Sequence, residues 1–512
     1  MITFAVGIAI LVIGGAIGGR ACRKAFGPDD RPTPAHTKQD GSDFVPMKGW
    51  RNSLINFLNI AGTGPILGPI QGILFGPIAF ITIPIGCIIG GATHDYFVGM
   101  ISSREDGRTI PMLVRKFLGN PAYRAFMVLF IICMMLVITV FAYMPADLAV
   151  STIDDYTGYS SPTLTALIYV SIVGYFLLSA VLPIDKLIGR IYPLFGAMLI
   201  VATFVVFAGL VIGGYEMAEL FGSWTLNGFD FGAYFTSMHF VPVFFVTVAC
   251  GILSGFHATQ VTLVSRTLDN ERDGVGVFHF PMIVEGMVAM IWAAGTMAMI
   301  GVGASEGGIT MMFEDGIWEF SAVIDGETKV ISPTTVVYVI GSKIMGDIGG
   351  LFAAIACILL PVTSGDTALR AVRMTIAETR GEPGGSIRAV AKYTLPVVAV
   401  VVILLAIAKA APDGFHSLWM YFSVFNQTIA VFSLAVVFVY FLVRGLTRYI
   451  WMAAIPLGFY SFVVVSYIVG SDLCLGAPWA LAYAVAAVSV VLMFVFVLKR
   501  GRALKSSGTL HE

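Results

Sequence analysis

Apolar residues run through this chain in long, nearly unbroken stretches parted by short polar segments. A helix needs about 20 apolar residues to cross the hydrocarbon core, and about 13 stretches meet that length. They lie near 1–19, 52–74, 77–100, 121–144, 162–183, 190–213, 240–264, 279–302, 351–375, 389–410, 417–442, 449–470 and 477–498. The polar segments alternate in charge. Lys38, Lys48 and Arg51 follow the first stretch, and Arg104, Arg108, Arg115 and Lys116 the third. Lys186 and Arg190, then Arg266 and Arg272, follow the fifth and seventh; Arg373, Arg380, Arg388 and Lys392 follow the ninth. Arg444 and Arg448 follow the eleventh, and Lys499, Arg500, Arg502 and Lys505 close the chain. The intervening segments are acidic or neutral: Asp147, Asp154 and Asp155 in one, Glu216, Glu219 and Asp230 in the next, and Glu306, Glu314, Asp315, Glu319, Asp325 and Glu327 in the long segment 303–350. Lys and Arg concentrate on the cytoplasmic side of a membrane. The pattern therefore predicts an outside N-terminus, a cytoplasmic C-terminus and an odd number of spans.

Two stretches are interrupted. Residues 59–72, Asn-Ile-Ala-Gly-Thr-Gly-Pro-Ile-Leu-Gly-Pro-Ile-Gln-Gly, hold two prolines and four glycines. Each proline removes an amide donor, and a freed backbone group inside hydrocarbon must find another partner. Such a break fits a kink in a packed bundle, a re-entrant loop or a transport site. The second break, Cys250-Gly251-Ile252-Leu253-Ser254-Gly255-Phe256-His257-Ala258-Thr259-Gln260, follows about five spans later, so the two run in opposite directions. Paired breaks in oppositely oriented halves are the sequence sign of an inverted repeat around a central site. The expected fold class is an all-α polytopic membrane protein with an inverted repeat of about five plus five helices, one extra N-terminal helix and two extra C-terminal helices. The expected divisions are a first helix 1–19, a cytoplasmic linker 20–51, repeats at 52–213 and 240–443, an external loop 214–239, a final helix pair 444–499 and a tail 500–512. Within 303–350 the sequence predicts an external loop, with a short surface helix at 334–346.

Polar residues inside spans narrow the chemistry. An ionisable group there is costly and marks function by default. Gly62, Thr63 and Gly64 at the first break, and Ser254, Gly255, His257 and Gln260 at the second, form the candidate substrate site. The positive ends of half-helices there suit a carboxylate. His257 titrates near neutrality, so it suits a proton carrier or a carboxylate partner; a structural imidazole bonded to a carbonyl fits as well. His94-Asp95, near the cytoplasmic end of the third span, suits a proton relay, a gate, a metal pair or a helix cap. In the ninth span Thr363 and Ser364 precede Asp366 and Arg370. Adjacent hydroxyls suit a hard cation or bonds to their own helix, and Asp366 with Arg370 suits an ion pair one turn apart. Glu285, after Pro281 in the eighth span, suits a pairing with Arg266 or Arg272.

Composition agrees with a membrane chain. Of 512 residues, 57% are hydrophobic and 12% charged, with a formal charge of −1. No basic patch with interleaved aromatics points to nucleic acid. The six cysteines lack CxxC spacing and read as packing residues. The first stretch lacks the positive lead of a secretory signal and reads as a retained helix. No phosphate-binding loop with Lys-Ser/Thr, nucleophile elbow or HExxH motif occurs, so neither an enzyme nor a bound cofactor is expected.

Three motifs carry a family resemblance: Asn59-Ile60-Ala61-Gly62-Thr63-Gly64-Pro65-Ile66; Gly90-Gly91-Ala92-Thr93-His94-Asp95 with Ser102-Ser103-Arg104-Glu105-Asp106-Gly107; and Ser254-Gly255-Phe256-His257-Ala258-Thr259-Gln260. The chain resembles, from about residue 50 onward, the carbon starvation protein A (CstA) family of membrane transporters, within the amino-acid–polyamine–organocation superfamily. The resemblance implies a LeuT-like core and import of pyruvate or short peptides across the bacterial inner membrane under carbon starvation, coupled to Na+ or H+. It also implies that Ala61, Gly64, Thr363 and Ser364 hold a cation, while the residue chemistry above makes His94, Asp95 and His257 the candidate proton relay or gate. A sensor or channel without coupled transport is the alternative.

Overall fold

The computed structural model describes residues 1–41, 43–62, 64–181, 185–300, 309–314, 317–324, 327–380, 387–411 and 414–507. For some of these, Thr363 among them, only the backbone is described. Eleven of the described helices are long and apolar enough to cross a membrane. The apolar periodless runs that build them are buried wherever helices meet and exposed on the outer faces, as lipid contact requires.

Helix α1 (Ile2–Phe26) ends on Gly27 in the left-handed region, φ 66°. At its other end the Glu219 carboxylate accepts from the backbone N–H of Ile2 and of Thr3, each at 2.7 Å, meeting two amides that a helix N-terminus leaves orphaned. The stretch 52–74 is not one helix. It consists of α2 (Gly49–Ile60), α3 (Gly64–Gly72) and a tight turn at Ile73–Phe75. The third stretch is α4 (Ala79–Gly86), a π-helical turn at Cys87–Ala92 and α5 (Thr93–Arg104). Then come α6 (Asn120–Thr157), with proline in its first turn, α7 (Pro162–Val181) and α8 (Asp185–Gly213).

The second interrupted stretch divides into α9 (Phe240–Thr247), α10 (Ala249–Ile252) and α11 (Gly255–Val264). A second π-helical turn, Val275–His279, leads into α12 (Phe280–Met299). Helix α13 (Pro333–Thr379) bends at Gly346, where φ 71° and ψ 176° suit only glycine. The predicted surface helix 334–346 is the first limb of this longer element. Helices α14 (Ile387–Ala410), α15 (Gly414–Val443), α16 (Trp451–Gly470) and α17 (Trp479–Ser506) complete the bundle.

The fold is not purely α-helical. Strands β1 (Thr225–Leu226) and β2 (Phe229–Asp230) form a hairpin around Asn227-Gly228. Within the segment expected to be a plain loop, β3 (Ile309–Glu314), β4 (Ile317–Ile324) and β5 (Glu327–Val330) form an antiparallel sheet, with Met311 opposite Phe320 and Ser321 opposite Val330. Its apolar alternation was hidden behind the glycines and acids. Ile309, Phe320 and Ala322 are buried, and Ile309 bridges to Ile300 at the end of α12.

The polar linker after α1 straps the loops that follow α5 and α11. Thr33 Oγ1 donates to the Leu268 carbonyl at 2.5 Å, and Met47 N–H donates to the Thr267 carbonyl at 3.1 Å. His36 meets Asp269 at 2.8 Å. Arg104 forks onto Glu271 at 2.9 and 3.0 Å, with its guanidinium 4.1 Å from the Phe26 ring centre. A two-pronged pair that also lies on an aromatic face is the strong form of such a contact.

Candidate functional site

The two breaks touch. Gly64, which opens α3, packs on Cys250 of α10: a Cβ added at Gly64 would stand 2.3 Å from the Cys250 Cβ. Backbones meet this closely only without a side chain. At the first break α2 ends at Ala61, whose N–H donates to Phe57, and the Gly62 N–H donates to Ile60 at 2.8 Å. Thr63 lies outside the described residues.

At the second break the chain is extended at Leu253 (φ −155°, ψ 120°) and Ser254 (φ −127°, ψ 130°). Helix α15 meets the groups thereby freed. Asn426 Oδ1 accepts from the Phe256 N–H at 2.8 Å, and Asn426 Nδ2 donates to Ser254 Oγ at 3.0 Å. Gln427 Nε2 donates to the Phe245 carbonyl and Trp419 Nε1 to the Thr247 carbonyl. Gly255 permits this docking, since a Cβ there would stand 2.2 Å from the Asn426 carbonyl oxygen. Sequence reasoning missed Asn426 and Gln427. The available signal was two adjacent amides in an otherwise apolar span.

Behind the second break lies a buried ionisable cluster. His257, on the first turn of α11, places Nδ1 3.1 Å from Asp95 Oδ2. The other Asp95 oxygen lies 2.8 Å from His94 Nδ1, and His94 Nε2 lies 2.6 Å from Ser433 Oγ on α15. His257 Nε2 faces Glu285 Oε2 of α12 at 3.6 Å. All four ionisable groups are essentially inaccessible, between 0% and 1% exposed. A buried carboxylate is tolerable only when charge partners and hydrogen bonds compensate. Asp95 has the hydrogen-bond partners, because each of its oxygens lies within reach of an imidazole nitrogen. An imidazole N–H at Nδ1 would donate to Asp95, and Nε2 then faces Glu285.

Two expectations need correction. Glu285 does not pair with Arg266 or Arg272: Arg266 Nε donates to the Gly107 carbonyl and Arg272 pairs with Asp30. Those arginines belong to the strap, beyond the start of α12, whereas Glu285 is buried in the bundle. Nor does His94-Asp95 lie at a span end. The pair opens α5, just after the π-helical turn and mid-way along the third span, with Arg104 at the far end.

Gln260 is buried a turn past His257, and neither its amide oxygen nor its nitrogen has a partner among the described residues. Ser364 Oγ donates to the Leu360 carbonyl at 3.3 Å, the bond within its own helix that sequence allowed. Its Oγ also lies 3.7 Å from where a Gly62 Cβ would stand, so the ninth span does approach the first break. The Thr363 side chain lies outside the described residues. Asp366 accepts from Ser179 of α7 at 2.7 Å and meets Arg370 at 3.8 Å. No group of three or more His, Cys, Asp or Glu placed to hold a metal occurs among the described residues.

Residues 1–166, 153–337 and 328–467 match the family model described as Carbon starvation protein CstA. A Haemophilus influenzae protein described as an uncharacterized membrane protein is 38% identical over 331 residues, spanning 57% of this chain and 89% of its own. A Mycobacterium tuberculosis protein called Peptide transporter CstA is 25% identical over 533 residues, with 84% and 69% covered. An Escherichia coli K12 protein of the same description is 26% identical over 531 residues, with 83% and 74% covered. Among solved structures, a manganese transporter from Eremococcus coleocola aligns with TM-score 0.52 at 14% identity, covering 88% of this chain and 93% of its own. At that identity the likeness concerns the fold alone: a helical membrane-transporter fold.

Proposed function

We propose, since the chain belongs to the carbon starvation protein CstA family, that it is a secondary active transporter importing short peptides across the bacterial inner membrane during nutrient starvation. The observation that carries this reading is the meeting of two interrupted helices, Gly64 against Cys250, beside a buried imidazole–carboxylate cluster. Interrupted helices that meet at mid-membrane present amides and carbonyls to cargo without exposing them to lipid. Counting the two interrupted stretches as spans gives about 13 crossings, arranged as a LeuT-like inverted repeat flanked by one helix before and two after. The N-terminus lies outside and the C-terminus in the cytoplasm.

In this reading the half-helix ends at Gly62, Thr63 and Gly64, and at Ser254 and Gly255, receive the cargo carboxylate, with Gln260 and His257 beside them. Curated relatives called peptide transporters favour a peptide over pyruvate. The His94–Asp95–His257 chain favours a proton as coupling ion. A sodium ion between Ala61, Gly64, Thr363 and Ser364 is the second reading, supported by the nearness of Ser364 to Gly62. Uptake into proteoliposomes decides between them, with labelled dipeptides and pyruvate under imposed proton and sodium gradients. Concentrative uptake of a dipeptide driven by the proton gradient is expected. Flux that stops at equal concentrations would mean a channel, and binding without flux a sensor.

A further inference from the structure

We infer that Glu285 binds and carries the transported proton, exchanging it with Nε2 of His257; this rests on the proton-coupled reading above. Glu285 is fully buried, and neither of its oxygens has a hydrogen-bond partner among the described residues. Asp95 differs, being bonded at both oxygens. A carboxylate left without hydrogen bonds in a dry interior is costly, whereas the neutral acid is tolerated there. The orientation of His257 follows from Asp95, whose Oδ2 accepts from Nδ1–H and so turns Nε2 toward Glu285 at 3.6 Å. Between Nε2 and Oε2 there is room for one proton, and no other donor among the described residues reaches Oε2. With that proton on Oε2 both partners are neutral. When it moves, the Oε2–H bond breaks and an Nε2–H bond forms, giving imidazolium and carboxylate with total charge unchanged. Loss of the proton altogether leaves a bare buried carboxylate, a costly state that reprotonation relieves. Glu285 is therefore the group whose occupancy changes in the cycle, and Asp95 is the fixed anion that positions His257.

The surroundings agree. Other titratable groups within electrostatic reach are Asp95 on α5, Cys87 on the π-helical turn and Cys250 on α10. His279 precedes Glu285 in the same span, buried and with Nε2 unpartnered among the described residues. Helices α3 and α4 carry no charged residue. The charges of α1 and α2, Arg20, Arg23, Lys24 and Arg51, are solvent-exposed at the helix ends. On α8 the charged residues are Asp185, Lys186 and Arg190, in its first two turns, and on α13 Asp366 is held by Ser179 and Arg370. Asp95 and Glu285 also occupy the second span of each proposed repeat, each following a π-helical turn, at Cys87–Ala92 and Val275–His279. Such turns concentrate at functional sites.

The test starts with infrared difference spectra of the purified full-length protein across about pH 5 to 8. A protonated-carboxyl band is expected that disappears in Glu285→Gln, shifts in Glu285→Asp and persists in Asp95→Asn. No such band in the wild type, or a band that survives Glu285→Gln, would overturn the assignment. In proteoliposomes Glu285→Gln is expected to keep exchange of labelled for unlabelled dipeptide. It should lose acceleration by an inward proton gradient, a change of about tenfold, within the range usual for coupled binding. Gradient-driven uptake at the wild-type level in Glu285→Gln would also overturn it. If the Gln variant fails to fold, the shifted band of Glu285→Asp carries the decision alone. Wild-type protein that moves no dipeptide, yet shows the band, would refute the transport reading and leave the proton site standing.

Discussion

Asn426 holds the second break together with one side chain, since its amide oxygen takes the Phe256 N–H and its nitrogen reaches Ser254. Asn426→Ala leaves both groups buried and unmet, at a cost of about 1–3 kcal/mol for an orphaned backbone donor. The expected result is a lower melting temperature in detergent; an unchanged melt would show that the break is held elsewhere. His257 acts differently, because its partners are charges. His257→Gln keeps a hydrogen-bonding group and removes titration. Uptake by the folded variant is expected to lose its pH dependence between about pH 5 and 8, and a wild-type pH profile would remove His257 from coupling. A single polar residue inside an apolar run was enough to single out His257 and His94-Asp95 from sequence. Their partner Glu285 was visible as a residue but not as a partner, since sequence spacing cannot say which helix faces which.

At the scale of elements, the breaks were legible because two prolines and four glycines at the first, and two glycines with a serine and a histidine at the second, interrupt otherwise apolar spans. What each break packs against was not. Span nine was read for its hydroxyls, and Ser364 does approach Gly62 while bonding Leu360 within its own helix. Thr363→Ala combined with Ser364→Ala separates these roles: a cation site there predicts loss of sodium-stimulated uptake with folding intact. Sodium dependence that persists in the double variant would leave only the bond within the helix. The sheet β3–β5 is not evident in the sequence because glycine and acids set the composition of 303–334, and its period-two run, Trp318-Glu319-Phe320-Ser321-Ala322, is short. The bend at Gly346 was equally silent, since a single glycine in a helical pattern marks no boundary by itself.

For the whole molecule, the apolar stretches predicted the helices to within a few residues at most ends, because crossing length is set by the bilayer rather than by the chain. The charge alternation makes a further prediction. Reporter fusions or cysteine accessibility should place residue 320, within β4, outside, and residues 110, 270 and 380 inside. Residues 110 and 270 on opposite faces would dissolve the inverted repeat, since it requires the loops after α5 and α11 to share a side. The strap agrees with that requirement: Arg104, the last residue of α5, and Glu271, in the loop after α11, are bonded to each other.

The contact of Gly64 with Cys250 has a practical consequence. Five of the six cysteines are buried and only Cys474 is partly exposed. In a Cys474→Ser background, the thiol of Cys250 becomes a built-in chemical clock for separation of the two breaks. Its sulfur would lie 2.8 Å from a Gly64 Cβ, so no maleimide reaches it while the breaks touch. Each opening of the centre exposes it for as long as the opening lasts. Cargo that closes the centre should slow its alkylation, and cargo that drives the breaks apart should speed it. The rate therefore reports the direction of the conformational change with no need to measure flux.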